Sequence, residues 1–245
     1  MARALVVSAH PDPASFTAQW AAASAAALAA DYEVTRTDLY ASGFDPAERA
    51  ALYTDPPHPF DALKAQAAET SPDVAHHMAD VLAAELLVLH FPLWWFAPPA
   101  MIKGWYERVL RHGAVHDTGT RFDTGRKRGG RALFCVTTGA DEGESARDGK
   151  EGHTRLLLMP LAYTLRYCGF EVYEPLTLHG VHGYHRGARA EALTAKLNRT
   201  LDAQAGALAT LAQRPLLPFN ADTDFDPSGR LRPDAVSHHP FIRHD

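Results

Sequence analysis

Short apolar segments alternate with amphipathic segments along most of the chain. The apolar segments have the length and composition of strands, and they lie at residues 3–8, 33–38, 86–91, 132–137 and 171–178. The amphipathic segments repeat apolar residues at helical spacing, and they predict helices at residues 15–30, 71–84, 99–109, 156–168 and 188–213. Strands and helices in alternation indicate a parallel sheet that is flanked by helices.

Five parallel strands with crossover helices restrict the topology. Because such connections are right-handed, we predict an α/β fold: a flavodoxin-like, doubly wound sheet in the order 2-1-3-4-5 with helices on both faces. Residues 1–214 then form one domain, in which residues 39–70 are a proline-containing excursion over the surface. Residues 215–245 contain five prolines without clear periodicity, and we interpret them as a C-terminal extension that packs on the body or on a partner subunit.

Composition narrows the classes of function. The chain has 245 residues, of which 46% are hydrophobic and 22% are charged, as in a globular protein that is not disordered. Its net charge of -5 leaves no overall basic surplus for nucleic acid or an anionic membrane. Cys135 and Cys168 are isolated, which favours a reducing cytoplasm, and we find neither a secretion signal nor a membrane-spanning segment.

The most informative stretch is residues 91–109, FPLWWFAPPAMIKGWYERV, which follows the third predicted strand. Aromatic side chains are most often part of a core. Here, however, they lie in a proline-stiffened loop at the carboxyl end of a parallel strand, where doubly wound folds bind ligands. We therefore predict a site for a flat, redox-active ring. The loop residues assigned to it are Pro92, Leu93, Trp94, Trp95 and Phe96.

Loops after two neighbouring strands carry polar groups that suit the same ligand. After the first strand, His10, Ser15, Phe16 and Thr17 lie at the start of a helix, whose free N–H groups and dipole favour phosphate oxygens. In isolation Ser15 and Thr17 could equally be ordinary helix caps. After the fourth strand comes a run of hydroxyl and small residues that is either a common turn or a close backbone approach to the ring system. Its members are Thr137, Thr138, Gly139 and Ala140.

Residues 91–109 resemble the flavin-dependent NAD(P)H:quinone reductases of the DT-diaphorase type. The resemblance covers residues 1 to about 215 and includes residues 168–175 and Arg189, which falls near an arginine at the adenine-phosphate end of FAD. It implies a cytoplasmic bacterial homodimer that binds FAD, or FMN as second choice. It also implies alternating hydride transfer from NADPH or NADH through the flavin to a quinone. Trp94 stands where mammalian members carry glutamine, so stacking would replace a polar contact.

The same resemblance indicates where this chain departs from the family. Relatives handle charge near the flavin with a Tyr and a His, and alignment of residues 149–153 places Ser145 and Glu151 at those positions. His153 falls at a neighbouring Asp position and either serves as a helix cap or turns inward. The predicted catalytic set is therefore His153, Glu151 and Ser145. In the substrate pocket Trp95 is joined by His116 and Thr118, where relatives have tyrosines, although His116 could also be an ordinary surface histidine.

Two other functions remain open at this level. The same flavin could reduce an azo or nitro compound, or the chain could be a nucleotide-binding ancillary subunit of a potassium-efflux transporter, a role found among relatives. A metal site is not predicted, because the fourteen histidines have no carboxylate or cysteine at a ligand spacing.

Overall fold

The computed structural model describes residues 1–52, Asp61 and residues 71–244. Within these residues the strands are β1 (Ala2–Ser8), β2 (Tyr32–Asp38), β3 (Leu86–Pro92), β4 (Arg131–Thr137), β5 (Glu171–Val172) and β6 (Leu176–Leu178). They form one parallel sheet along the path β2-β1-β3-β4-β5, and β6 also pairs with β4. The predicted flavodoxin-like order is confirmed.

Six α-helices connect or flank the described strands. They are α1 (Phe16–Leu28), α2 (Pro72–Ala83), α3 (Ala100–Val109), α4 (Thr154–Leu157), α5 (Met159–Cys168) and α6 (Ala188–Ala209). The single predicted helix over residues 156–168 is instead two helices, separated at Leu158. The last predicted helix ends at Ala209, and a separate 3-10 turn follows at Leu211–Gln213.

The core has two halves, one on each face of the sheet. All of β3 is buried, as expected for a central strand that is covered on both faces. Leu87 and Leu89 point to the half that contains α2, α3 and α5. Leu86 and Val88 point to the half that contains α1 and α6. This alternation along one strand fixes which helices cover which face.

The predicted fifth strand at residues 171–178 is interrupted, so it becomes β5 and β6. Between them, Glu174 N donates to Pro215 O at 2.9 Å instead of continuing the ladder with β4. The Arg214 guanidinium donates to Glu174 O and, at 2.5 Å, to Pro175 O. Pro175 has no N–H to donate to the ladder, and the backbone groups at the break are hydrogen-bonded by Arg214 and Pro215 instead.

Within residues 39–52, residues 44–46 contact α3. The rest of the predicted excursion, residues 53–60 and 62–70, lies outside the described residues. Phe44 is buried in the core. A Cβ at Gly104 of α3 would lie 2.1 Å from Pro46 O, so glycine is needed for this approach.

The C-terminal segment contacts the body at several points. Leu217 is buried in the core, and the rings of Phe219 and Phe241 pack against Tyr163 of α5, with centroids 5.9 and 5.1 Å apart. The division into a domain at residues 1–214 and an extension at residues 215–245 stays a prediction.

Candidate active site

The carboxyl ends of β1, β3 and β4 lie side by side at one edge of the sheet. Backbone hydrogen bonds fix the first residue after two of these strands: Ala9 N donates to His90 O at 3.0 Å, and Leu93 N donates to Thr137 O at 2.8 Å. The loops after the strands therefore start from fixed positions at the edge where doubly wound sheets bind ligands.

The loop after β1 leads into the N-terminal end of α1. Ser15 is the N-cap residue, and its Oγ accepts a hydrogen bond from Ala18 N at 3.2 Å. Phe16 and Thr17 form the start of the helix, and Thr17 is buried. The first turn of α1 contains no acidic residue, so its remaining N–H groups can bind an anion without repulsion from the turn itself.

The loop after β3 is a tight aromatic turn. Trp94 N donates to Ala97 O at 2.9 Å and Ala97 N donates to Trp94 O at 3.1 Å. The two residues between them, Trp95 and Phe96, have φ values of 52° and 61°, the positive pair that a type I′ turn requires. Bulky residues rarely adopt this strained conformation, which concentrates at functional sites. Their side chains are 93% and 54% exposed.

The other predicted residues of these loops lie next to the aromatic turn. The ring of His10 lies edge-on to the ring of Trp94, with centroids 5.6 Å apart. Thr137 and Thr138 are buried at the end of β4, and Thr138 Oγ1 donates to Ala140 O at 3.1 Å. The hydroxyl of Thr138 therefore orders its own loop.

The connection between β4 and α4 folds back toward the same edge. Glu151 N donates to Glu144 O at 3.0 Å, and Thr154 N donates to Ser145 O at 3.3 Å. A Cβ at Gly149 would lie 2.2 Å from Glu144 O, so glycine is required where the chain crosses itself. These contacts present Ser145 and Glu151 toward the aromatic turn.

Two adjoining cavities open between these loops. One has a volume of about 440 Å³ and the other about 480 Å³. Both are lined by Leu93, Trp95, Thr138 and Gly139. The first is further lined by Phe96, Ala140, Glu144, Ser145, Glu151, Gly152, Thr154, Leu157, His182 and Tyr184. The second is further lined by Pro92, Trp94, Thr137 and Val181. Cavities of this size accommodate a cofactor ring and a small ligand.

The predicted residues of the loops after β3 and β4 line these cavities, whereas His10, Ser15, Phe16 and Thr17 line neither, and the predicted catalytic set is divided. Ser145 and Glu151 line the first cavity, whereas His153 lines neither, because it is the residue that starts α4. Burial lowers the pKa of His153, and the charges of Arg147 and Arg155 lower it further. The lowered pKa favours the neutral form of this imidazole.

Three further predicted residues lie away from the cavities within this chain. His116 packs edge-on against Tyr167 of α5 at 5.1 Å between ring centroids, and burial lowers its pKa. Thr118 lines a separate cavity of about 710 Å³ that it shares with Phe225 and Phe241 of the C-terminal segment. Arg189 is exposed in the first turn of α6.

Six residues that line the first cavity were not predicted: Glu144, Gly152, Thr154, Leu157, His182 and Tyr184. His182 and Tyr184 belong to the loop after β6, and their rings stack with centroids 4.3 Å apart at 33°. In the sequence they look like surface residues after the fifth strand. The one available signal is topological, because a loop that follows the strand next to β4 emerges at the same edge of the sheet.

The described residues contain neither a metal-ligand cluster nor a membrane-spanning helix. Across residues 1–52, 61 and 71–244, no three His, Cys, Asp or Glu side chains are grouped as metal ligands would be. Over the same ranges, no helix combines the length and the apolar character needed to cross a bilayer.

Comparison with known proteins gives consistent matches. A family described as having a flavodoxin-like fold matches residues 2–203. NAD(P)H dehydrogenase (quinone) 1 of Cavia porcellus is 34% identical over 201 residues, which cover 78% of this chain and 73% of that protein. Ribosyldihydronicotinamide dehydrogenase (quinone) of Homo sapiens is 33% identical over 185 residues, which cover 71% of this chain and 79% of that protein.

A solved structure extends the comparison to almost the whole chain. The structure of a Klebsiella pneumoniae protein, described as a candidate quinone reductase, matches with a TM-score of 0.81 at 29% identity. The match covers 96% of this chain and 95% of that chain, so it includes the C-terminal segment.

Proposed function

We propose that this chain, which belongs to the flavodoxin-like family of NAD(P)H quinone oxidoreductases, reduces a quinone by two electrons. The electrons would pass through FAD, held at the carboxyl edge of the sheet. Family membership makes the chain an oxidoreductase with a flavin, a nicotinamide donor and a quinone acceptor. The proposal goes further in four respects. It specifies FAD over FMN, NADPH or NADH as the donor, a homodimer, and a cytoplasmic location.

The observation that carries the proposal is the pair of adjoining cavities at the ends of β3 and β4. Their walls combine aromatic rings from the turn at residues 94–97 with backbone and hydroxyl groups of residues 137–140. Flat rings stack on the former, and the latter donate hydrogen bonds to polar edges. The helix end beside them, at Ser15, suits a phosphate because the first turn of α1 holds no acidic side chain.

The residues of the three loops would bind different parts of the cofactor. Ser15, Phe16 and Thr17 would bind the phosphate portion, with His10 supporting Trp94 beside them. The aromatic turn would orient the ring and exclude water, and residues 137–140 would contact its polar edge. When bound, the flavin accepts a hydride from the nicotinamide and passes a hydride to the acceptor.

Several predicted residues enter this proposal less directly. Ser145 and Glu151 line the first cavity and would contact the reacting groups, while His153 would act only if its ring turned inward from the start of α4. Arg189, exposed at the start of α6, would have to reach the adenine-phosphate end of FAD. Each of these roles stays a proposal.

A homodimer would explain the position of the remaining substrate residues. Trp95 and Phe96 project outward, and the separate cavity lined by Thr118, Phe225 and Phe241 offers a surface of mixed polar and apolar character elsewhere on the molecule. We propose that the aromatic turn of one subunit faces this surface on its partner. His116 and Thr118 would then reach the active site of the partner rather than that of their own chain.

The proposal is tested with the purified protein. We expect a yellow protein that NADPH or NADH bleaches without oxygen and that menadione recolours in a second, separable step. Chromatography of the released cofactor distinguishes FAD from FMN, and light scattering gives the subunit number. A protein that carries no flavin, or a flavin that neither nicotinamide reduces, would contradict the enzyme function. The latter result would favour the ancillary-subunit role, and faster recolouring by an azo or nitro compound would favour that acceptor class.

A further inference from the structure

The loop after β6 is fastened to the loop after β4. Thr138 N donates to Leu178 O at 3.0 Å, Val181 N donates to Thr138 O at 2.9 Å, and Gly180 N donates to Ala140 O at 2.9 Å. These three backbone hydrogen bonds extend the pairing of β4 with β6 beyond the strands. The side chain at the next position, His182, is therefore held at the cavity by backbone structure.

The His182 ring lies directly on the glycine of the neighbouring loop. A Cβ at Gly139 would be 2.9 Å from His182 Cε1 and 3.3 Å from Nδ1. On its other side, the ring stacks with Tyr184 at 4.3 Å and meets His185 edge-on at 5.2 Å between centroids. The imidazole is thus packed between the cavity wall and two rings of its own loop.

The side chains that share the cavity with His182 carry negative charge. Glu144 and Glu151 line it, and Glu144 is paired with Lys150 at 2.8 Å. The pKa of Glu144 is lowered mainly by Lys150, and His182 contributes to the same shift, which indicates that their charges interact.

The remaining charged groups near this loop contact its backbone or His179. Arg186 Nη1 donates to Gly183 O at 3.1 Å and to His185 O at 2.7 Å. Asp141 and Glu142 from the loop after β4 interact with the His179 ring, and Lys196 of α6 donates to His179 O at 2.6 Å. Among the described residues that line the first cavity, His182 is the single imidazole. Of the side-chain types in this lining, an imidazole is the one suited to hold and release a proton at neutral pH.

We propose that His182 is a catalytic residue that gives the quinone the proton that completes its reduction; this inference rests on the proposed function. The nicotinamide is oxidised and its hydride, carried through the cofactor, brings two electrons and one hydrogen to the acceptor. One acceptor oxygen is then left as an anion. The N–H bond of the His182 imidazolium breaks, its proton binds that oxygen, and the neutral ring regains a proton from water.

The neighbouring side chains are less suited to this step. A carboxylate such as that of Glu144 or Glu151 opposes an anion, and in its ionised form it has no proton to give. The hydroxyls of Ser145 and Tyr184 have no cationic form that would attract an anion, whereas an imidazole has one. His182 therefore supplies a function for which this cavity has no better group among the described residues.

The test compares His182→Gln with the control His185→Gln, which changes the adjoining histidine that does not line the cavity. In stopped-flow at pH 7, we expect reoxidation by menadione to slow about 100-fold in His182→Gln, a typical effect of losing a general acid. Reduction by NADPH should change by less than about threefold, since that half-reaction does not use the proton. In His182→Ala, added imidazole should restore part of the reoxidation rate. The control should resemble the wild type.

A second readout does not depend on turnover. The visible spectrum of the bound, oxidised flavin should change with pH in the wild type and in His185→Gln, and this change should be absent in His182→Gln. Unchanged reoxidation and an unchanged spectral titration in flavin-loaded His182→Gln would overturn the inference and leave the proposed function standing. A wild-type protein that binds no flavin would overturn both.

Discussion

The aromatic turn gives the sharpest prediction, because its strain and its function should oppose each other. An L-residue in the left-handed region is destabilised by about 1–2 kcal/mol, and Trp95 has a φ of 52°. Glycine removes that strain but loses about 0.5–1 kcal/mol to the greater freedom of the unfolded chain. Because Trp95 is 93% exposed, little burial is lost. We therefore expect Trp95→Gly to raise the free energy of unfolding by about 1 kcal/mol, or roughly 2–4 °C in Tm.

The same substitution should weaken the acceptor site. A stacked aromatic contact contributes about 0.5–1.5 kcal/mol beyond burial, so KM for menadione should rise by up to about tenfold.

Stability is measured by urea unfolding of the flavin-free protein, which removes any contribution from cofactor binding. Trp95→Phe is the matched control, because it keeps both a ring and the positive φ and should stay within about 0.5 kcal/mol and twofold in KM of the wild type. A Trp95→Gly protein that is less stable than the wild type would refute the strain argument. An unchanged KM would remove Trp95 from the acceptor site.

Two further predictions concern the fold. Gly104→Ala should lower the free energy of unfolding by about 2 kcal/mol or more, because its Cβ would lie 2.1 Å from Pro46 O. Gly206→Ala in α6 is the control: a Cβ there has nothing within 4 Å, so the substitution should raise the free energy of unfolding by about 0.5–1 kcal/mol. Equal effects of the two substitutions in urea unfolding would contradict the packing argument. Burial, followed by the charge of Arg36, lowers the pKa of His90 to about 3. As the pH falls below about 6.5, this histidine is protonated in the unfolded chain before it is protonated in the folded one. The free energy of unfolding therefore decreases as the pH drops from about 6.5 toward 3. His90→Gln should therefore lose less stability than the wild type between pH 6.5 and 5, by about 1 kcal/mol per pH unit, and parallel pH profiles would exclude His90 as a cause.

The order of the sheet could be predicted because β3 and β4 are continuous apolar runs, and the helices between strands carry their own spacing signal. The interruption between β5 and β6 has a local signal in Pro175, which has no N–H for the ladder, but the contact with Arg214, 40 residues from Glu174 in the chain, has none. A local pattern contains no information about such a partner.

The site divides in the same way. The aromatic residues 94–96 were predicted from their place after a buried strand, whereas the positive φ of Trp95 and Phe96 is a backbone property that aromatic residues do not signal. His182 was overlooked because its position depends on hydrogen bonds between two loops that are distant in sequence. His153 was favoured by alignment, but the start of α4 keeps it out of the cavity wall.

The contact between Arg214 and the broken fifth strand has a further consequence for the free protein. Residues 215–217 pair with the outer side of β5: Leu217 N donates to Val172 O at 2.7 Å, and Tyr173 and Leu216 form an antiparallel bridge. An outermost strand with open N–H and C=O groups is a template for intermolecular sheet growth. Residues 215–217 thus cover the edge strand β5 and protect it from intermolecular pairing. A shortened protein that stops before Arg214 would expose this edge and should aggregate more readily.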